Sequence, residues 1–205
     1  MPKITDMQIQ KNNKPRANVY IDGEFAFGLE MLTVMKLGLK IGREVSEEQL
    51  AQAVFDSEKS VAFERAVNYL SRCMKTCKQM REYLTGKGYS PDVVSNVVDR
   101  LKELKYLDDE TYARLYVEQN SQSKGEYRLK QELSVKGISK ALIDKYCVQD
   151  GERSVNAAAQ LAVKYMKGKP SDVKTLQKLQ RYLISRGYGF DTVNQVIHNF
   201  KQDDE

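Results

Sequence analysis

The chain has 205 residues, with 33 Lys and Arg against 28 Asp and Glu, four Pro, no Trp and a single His. No apolar stretch is long enough to span a bilayer, and three cysteines (Cys73, Cys77 and Cys147) form no secretory disulfide framework, so a cytoplasmic protein is expected. The formal net charge of +5 permits a polyanionic partner without demanding one, and 30% charged residues suit a helical, surface-rich molecule.

The first 55 residues read differently from the rest. Ile4 to Ile9 has strand character, and Ala17, Val19 and Ile21 alternate with polar neighbours. Asp22-Gly23 then interrupts before Phe25, Phe27 and Leu29 alternate again. Asp-Gly between two such runs predicts a type I′ hairpin, because both turn residues need positive φ. A short helical piece is expected near Leu32 to Leu37. Ser46-Glu47-Glu48-Gln49 reads as a capping box opening a short helix through Phe55.

From Asp56 onward every long pattern is helical, and one device recurs. MREYLTGKGYSPDVVSNVVDRL, LKQELSVKGISKALIDKYC and LQRYLISRGYGFDTVNQVIHNF place equivalent glycines at 88, 137 and 187. In each copy a helix ends on a basic residue (Lys87, Lys136 or Arg186), and glycine follows, where left-handed backbone suits a residue without Cβ. Leu84, Leu133 and Leu183 stand at C3, and Tyr89, Ile138 and Tyr188 at C″, the two positions that touch in a Schellman cap. Ser90, Ser139 and Gly189 are candidate N-caps of the next helix. The spacing predicts a mainly α chain of tandem three-helix repeats in an elongated curved array, behind a small N-terminal segment containing a β-hairpin. The expected boundaries are 1–55, 56–107, 108–150 and 151–205. A phosphate-cradling loop is disfavoured, since GKGYS lacks the required spacing and no strand precedes it.

These motifs resemble the RecX family, regulators of the RecA recombinase built from tandem three-helix repeats. Leu107-Asp108-Asp109 with Tyr112-Ala113 and Val117 is similar to the family's L-D-D-x-x-[FY]-A-x-x-x-V run. Gly125, Arg128-Leu129, Glu132-Leu133 and Lys136-Gly137-Ile138 are similar to its continuation. The first copy fits through Tyr69-Leu70, Glu82, Leu84 and Lys87-Gly88-Tyr89, the third more loosely, and the likeness covers about Asp56 to Phe200. The resemblance implies a non-enzymatic protein that binds the RecA–single-stranded-DNA filament, in its helical groove, and limits recombinase, ATPase and coprotease activity. Its partners would be the RecA filament and single-stranded DNA, with no membrane and no cofactor, and the chain a monomer.

The remaining candidates divide between binding and plain structure. Positive charge gathers late in the chain. Arg72, Lys75, Lys78, Arg81 and Lys87 face Glu82 alone between Leu70 and Ser90, and Lys164, Lys167, Lys169, Lys174, Lys178, Arg181 and Arg186 face Asp172 alone between Gln160 and Phe190. Arg72, Lys75 and Lys78 read as a basic stripe on one helix. Lys124 and Arg128 form a looser cluster, as do Lys164, Lys167 and Lys169. With Arg81, Lys136, Arg181 and Arg186, these are the candidate RecA or DNA contacts, and Tyr69, Tyr127, Tyr165 and Tyr182 could stack on bases. A charge run is otherwise a solvated face, the aromatics are otherwise core, and the cations at helix C-termini otherwise complement the helix dipole. Asp108-Asp109-Glu110 reads as a helix start rather than a metal site. Cys73 and Cys77 share a helix face at their spacing, but with one remote His198 they read as structural. A rival function is a stand-alone DNA binder with helix-turn-helix units. Its base-reading positions would be Pro91-Asp92, Lys140-Ala141 and Phe190-Asp191, which apolar residues follow closely.

Overall fold

The computed structural model describes residues 2–10, 13–148 and 151–202. Among those residues the order is β1 (Ile4–Gln10), β2 (Asn13–Ile21), β3 (Glu24–Glu30), α1 (Met31–Lys36), α2 (Glu47–Leu70), α3 (Cys77–Thr85) and α4 (Pro91–Glu103). Then follow α5 (Asp109–Asn120), α6 (Glu126–Val135), α7 (Lys140–Tyr146), α8 (Gly151–Met166), α9 (Val173–Ser185) and α10 (Phe190–Gln202). The protein is thus mostly helical, with three successive three-helix groups after a small sheet. No helix among the described residues is long and apolar enough to cross a membrane.

The strands form one antiparallel sheet in the order β1-β2-β3. Asp22 and Gly23 both take positive φ, 51° and 91°, as the Asp-Gly turn requires. Hydrogen bonds hold that turn to β1 and the residue before it: Lys3 N–H donates to Asp22 Oδ1, Asp22 N–H to the Lys3 carbonyl and Gly23 N–H to Thr5 Oγ1. The inner face buries Ile4, Val19, Phe27 and Leu29 against Val34, Leu39, Val45 and Ala53.

The capping box at Ser46 is present, since Ser46 Oγ accepts from Gln49 N–H and the Gln49 side chain accepts from Ser46 N–H. The helix it opens does not stop near Phe55, however. It runs unbroken to Leu70. Two polar side chains just past Phe55 are satisfied sideways against the sheet. Ser57 Oγ donates to the Gly28 carbonyl, as Arg16 does, and Ser60 Oγ donates to Glu30.

A second expectation is also corrected. Arg72, Lys75 and Lys78 do not lie on one helix, nor do Cys73 and Cys77 share a helix face, because α2 ends at Leu70 and α3 begins at Cys77. The connection is set by Thr76, which opens a capping box that the spacing of the cations obscured. Its hydroxyl accepts from Gln79 N–H at 3.2 Å and Gln79 Oε1 accepts from Thr76 N–H at 3.1 Å.

The chain divides into two compact units, one of Met1–Met74 with Met80–Leu107 and the other of Lys75–Gln79 with Asp108–Glu205. In the first, Met80 and Leu84 of α3 are buried, as are Val93, Val94, Val97, Val98 and Leu101 of α4. In the second, one core gathers Ala113, Leu129, Leu133, Ile138, Ile143 and Cys147, and another gathers Ala158 and Ala162 with Leu176, Leu179, Leu183, Tyr188, Val193 and Val196.

The glycine corners take the expected form. Gly88, Gly137 and Gly187 have φ of 87°, 85° and 89°. Tyr89, Ile138 and Tyr188 N–H donate back to the Leu84, Leu133 and Leu183 carbonyls, the long bond of a Schellman cap. Ser90 and Ser139 then cap α4 and α7 through their hydroxyls.

Within the second unit each corner packs on a helix start. Thr76 Oγ1 donates to the Lys136 carbonyl and Lys78 Nζ to that of Val135, while the Lys78 stem lies on Gly137. Likewise Gly125 N–H donates to the Arg186 carbonyl and Tyr127 N–H to that of Gly187, with Arg128 on Gly187. The start of α6 has no side-chain cap, because the corner supplies the acceptors that its free amides need.

A Cβ at Gly88 would meet nothing within 4 Å, whereas at Gly137 it would sit 2.5 Å from Lys78 Cβ and at Gly187 it would overlap Arg128. Gly88→Ala is therefore expected to cost about 1–2 kcal/mol, the strain of left-handed backbone alone. Gly137→Ala and Gly187→Ala should cost about 1–3 kcal/mol more for the overlap. Urea denaturation of the three variants checks this ranking, and equal losses at all three positions would refute the packed-corner account.

Candidate functional site: a cation and tyrosine cluster at each corner

Each corner folds its basic residue over tyrosine rings. In the first repeat Tyr69, at the end of α2, stacks on Tyr83 of α3 with centroids 3.9 Å apart, and Lys87 Nζ lies 5.7 Å from the Tyr83 centroid. In the second, Tyr112 and Tyr116 of α5 lie 6.0 Å apart, and Lys136 Nζ reaches both, at 6.0 and 5.3 Å. In the third, Tyr165 of α8 stacks on Tyr182 of α9 at 4.8 Å, with Lys169 over the former at 3.5 Å and Arg186 over the latter at 5.1 Å. A cation over a ring face is held by the ring quadrupole, so these three stations place positive charge at fixed points on the surface.

The second station is built differently from the other two. Tyr83 and Tyr182 stand four residues before the corner cation, and Glu132 holds that place in the middle repeat. Its carboxylate gathers a network. Lys124 Nζ donates to Oε2 at 2.7 Å, Tyr116 OH to the same oxygen at 2.5 Å, and Arg128 Nε to Oε1 at 3.0 Å. Partial burial pushes the Glu132 carboxyl upward, but these three donors outweigh it and hold its pKa down at about 2. Burial likewise works against the Lys124 ammonium and is outweighed by Glu132 and Tyr116, so Lys124 stays charged more firmly than a free lysine. Arg128 also donates to the Ser185 carbonyl, tying the network to the third corner.

The candidate cations fall into two groups. Lys78, Lys124, Arg128, Lys136, Lys169 and Arg186 are engaged as just described. Arg72, Arg81, Lys164 and Lys167 are exposed, and Arg181 is exposed with one long bond to the Gln177 carbonyl. Lys75 is half-buried in the segment before Thr76. Arg72 shares a cavity of about 370 Å³ with Tyr69, Tyr83 and Arg65. Arg65 was not singled out from the sequence, although it precedes Tyr69 by four residues and so shares its helix face. Among the candidate aromatics, Tyr69, Tyr165 and Tyr182 have a ring face taken by a partner, whereas Tyr127 is 70% exposed.

The acidic run does structural work. Asp108 caps α5 by accepting from Glu110 and Thr111 N–H, Asp109 accepts from Cys77 N–H, and Glu110 accepts from Lys145 and Tyr146. Lys145 and Tyr146 lower the Glu110 carboxyl below its ordinary value. His198 is exposed on α10.

The depressed carboxyl has a consequence for stability. A group whose folded pKa lies below its unfolded value of 4.5 stabilises the fold above that pH and loses the contribution as pH falls toward about 2. Glu132→Gln should cost about 1–3 kcal/mol at neutral pH. The gap between the two proteins should shrink on acidification through that window, by at most about 1.4 kcal/mol per pH unit. Thermal melts of both proteins across this range check it, and a gap that stays constant would show that the network is not held by the ionised carboxylate.

Comparison with known proteins agrees with this architecture along its length. Residues 2–46 match the family model described as the regulatory protein RecX N-terminal domain, and residues 62–101, 108–146 and 152–197 match the first, second and third three-helix domains of RecX. Regulatory protein RecX of Clostridium botulinum (strain Eklund 17B / Type B) is 34% identical over 202 residues, spanning 96% of this chain and 95% of that one. The Bacillus licheniformis protein of the same name is 30% identical, spanning all of this chain and 80% of its own. A crystal structure of regulatory protein RecX superposes with a TM-score of 0.73 at 28% identity, over 97% of this chain and 100% of that one. That of RecX from Lactobacillus salivarius, at 24% identity, shares the fold with a TM-score of 0.63 over 71% of this chain and 97% of that one. With a sheet-bearing N-terminal domain and three three-helix domains all matched in order, the chain belongs to the RecX family of regulatory proteins.

Proposed function

We propose that this protein is a non-enzymatic regulator that binds the RecA–single-stranded-DNA filament and restrains its recombinase, ATPase and coprotease activities. Membership of the RecX family supplies the name of the partner. The observation that carries the physical side is the threefold recurrence of a cation held over tyrosine rings at each glycine corner. A partner that is itself a polymer of like units offers repeated charge, and a repeated cationic station suits it better than one deep pocket does. The helix-turn-helix alternative has less support. The start of α4 offers Pro91 and Asp92 and then buries Val93 and Val94, so its first turn is used for packing rather than for reading base edges.

ATP hydrolysis by RecA on single-stranded DNA, titrated with this protein, tests the reading. Hydrolysis should fall as the protein is added, and an unchanged rate at severalfold excess would overturn it. The exposed cations give a second, independent check. Replacing Arg72, Lys164 and Lys167 by alanine should flatten the salt dependence of filament binding, by about 0.7 in log–log slope for each phosphate left without its cation. An unchanged slope would remove these three from the interface.

A further inference from the structure

An open groove of about 690 Å³ runs along α6 in the second unit, beside the third corner. Its half-buried lining, the floor, includes Tyr116, Arg128, Glu132 and Lys136, and its exposed lining, the rim, includes Tyr127, Val135 and Ile184. The rim side chains are 70%, 68% and 37% exposed. Single exposed apolar residues are ordinary on a protein surface, but three large ones around one concavity make a coherent patch.

The floor has an excess of positive charge. Both Glu132 oxygens are already taken, one by Lys124 and Tyr116 and the other by Arg128. Lys136 is half-buried, with its ammonium over the faces of Tyr112 and Tyr116, and it has no carboxylate partner among the described residues. A partly dehydrated cation without a counter-ion is a place for an incoming anion. The rim decides which kind. Val135 and Ile184 offer nothing to a sugar–phosphate backbone, whereas an aliphatic or aromatic side chain would be covered by them. An aromatic and an arginine beside an apolar rim is also the composition of the energetic centre of a protein interface.

We propose that this groove is a protein-docking site, which receives a segment carrying a carboxylate beside an apolar side chain. The carboxylate meets Lys136 and the apolar group sits between Val135 and Ile184. The inference rests on the RecA reading and sharpens it: this groove takes the protein component of the filament, and the exposed cations elsewhere take its DNA.

The test uses the full chain with Val135→Ser and Ile184→Ser combined, and separately Lys136→Gln. Each is measured for binding to the RecA–DNA filament, for binding to the same oligonucleotide alone, and for melting temperature. The serine double variant replaces hydrocarbon by small hydroxyl side chains and leaves charge unaltered, so it stands as the main test if Lys136→Gln loses stability. The expected result is a tenfold or greater loss of filament affinity with oligonucleotide binding within twofold of the parent. Undisturbed filament binding by the serine variant overturns the groove while leaving the RecA reading intact. Equal losses on filament and bare oligonucleotide also overturn it, in favour of a nucleic-acid site. A parent protein that ignores the filament overturns the RecA reading and the groove's assignment with it.

Discussion

The second unit depends on the close approach of a helix end to a helix start. A Schellman corner leaves carbonyls pointing outward, and the amides of the first turn of α6 have no partners of their own. Bringing the two together satisfies both sets, through Gly125 N–H to Arg186 and Tyr127 N–H to Gly187. The approach needs two glycines, since a Cβ on Gly125 would overlap the Gly187 carbonyl and a Cβ on Gly187 would overlap Arg128. The start of α3 meets the second corner in a looser version of the same arrangement. There Thr76 keeps its side chain and donates through its hydroxyl, and Lys78 reaches the Val135 carbonyl. One problem of unsatisfied backbone is thus solved twice, with different side chains.

The fold was legible where several constraints fall within a few residues. A Schellman corner writes glycine at C′ and apolar residues at C3 and C″ into a window of six, and its recurrence at 88, 137 and 187 made the repeat visible. The Asp22-Gly23 turn was legible for the same reason. Where a helix runs on was harder to read. The sequence predicts an end to α2 near Phe55, but the helix runs on, and Ser57 and Ser60 just beyond find acceptors across the sheet at Gly28 and Glu30. Those acceptors are 29 and 30 residues away in sequence, and no local pattern announces them. The opposite error arose at Arg72, Lys75 and Lys78, where a three-residue spacing imitated a helix face across a connection. The sign that ought to have outweighed it was Thr76-x-x-Gln79, a capping box in the middle of the supposed stripe.

The candidate site was legible in kind and misjudged in detail. Charge clusters and nearby tyrosines were visible, and the structure brings many of them together. What composition cannot show is how much of that charge is already spent. Lys78 is used on a carbonyl, Lys124 and Arg128 on Glu132, and Lys136, Lys169 and Arg186 on ring faces. The substitution of Glu132 for the tyrosine of the flanking repeats was readable in the aligned stretches. Its meaning was not, because the rings that replace that tyrosine come from α5, the nearer of them 16 residues earlier.

That substitution separates the middle repeat from its neighbours in a way that bears on function. At the first and third corners the cation lies over a tyrosine of its own helix, and the station is closed by ring stacking. At the second, the carboxylate draws Lys124 and Arg128 inward, and among the described residues Lys136 meets the π faces of two tyrosines on another helix and no carboxylate. A ring face is a weaker partner than a carboxylate and yields to one. The middle corner therefore combines a charge-saturated base with one cation that has no carboxylate partner among the described residues. A base held by its own hydrogen bonds, with such a cation at its edge, suits a docking surface, since little side-chain freedom is left to lose on binding.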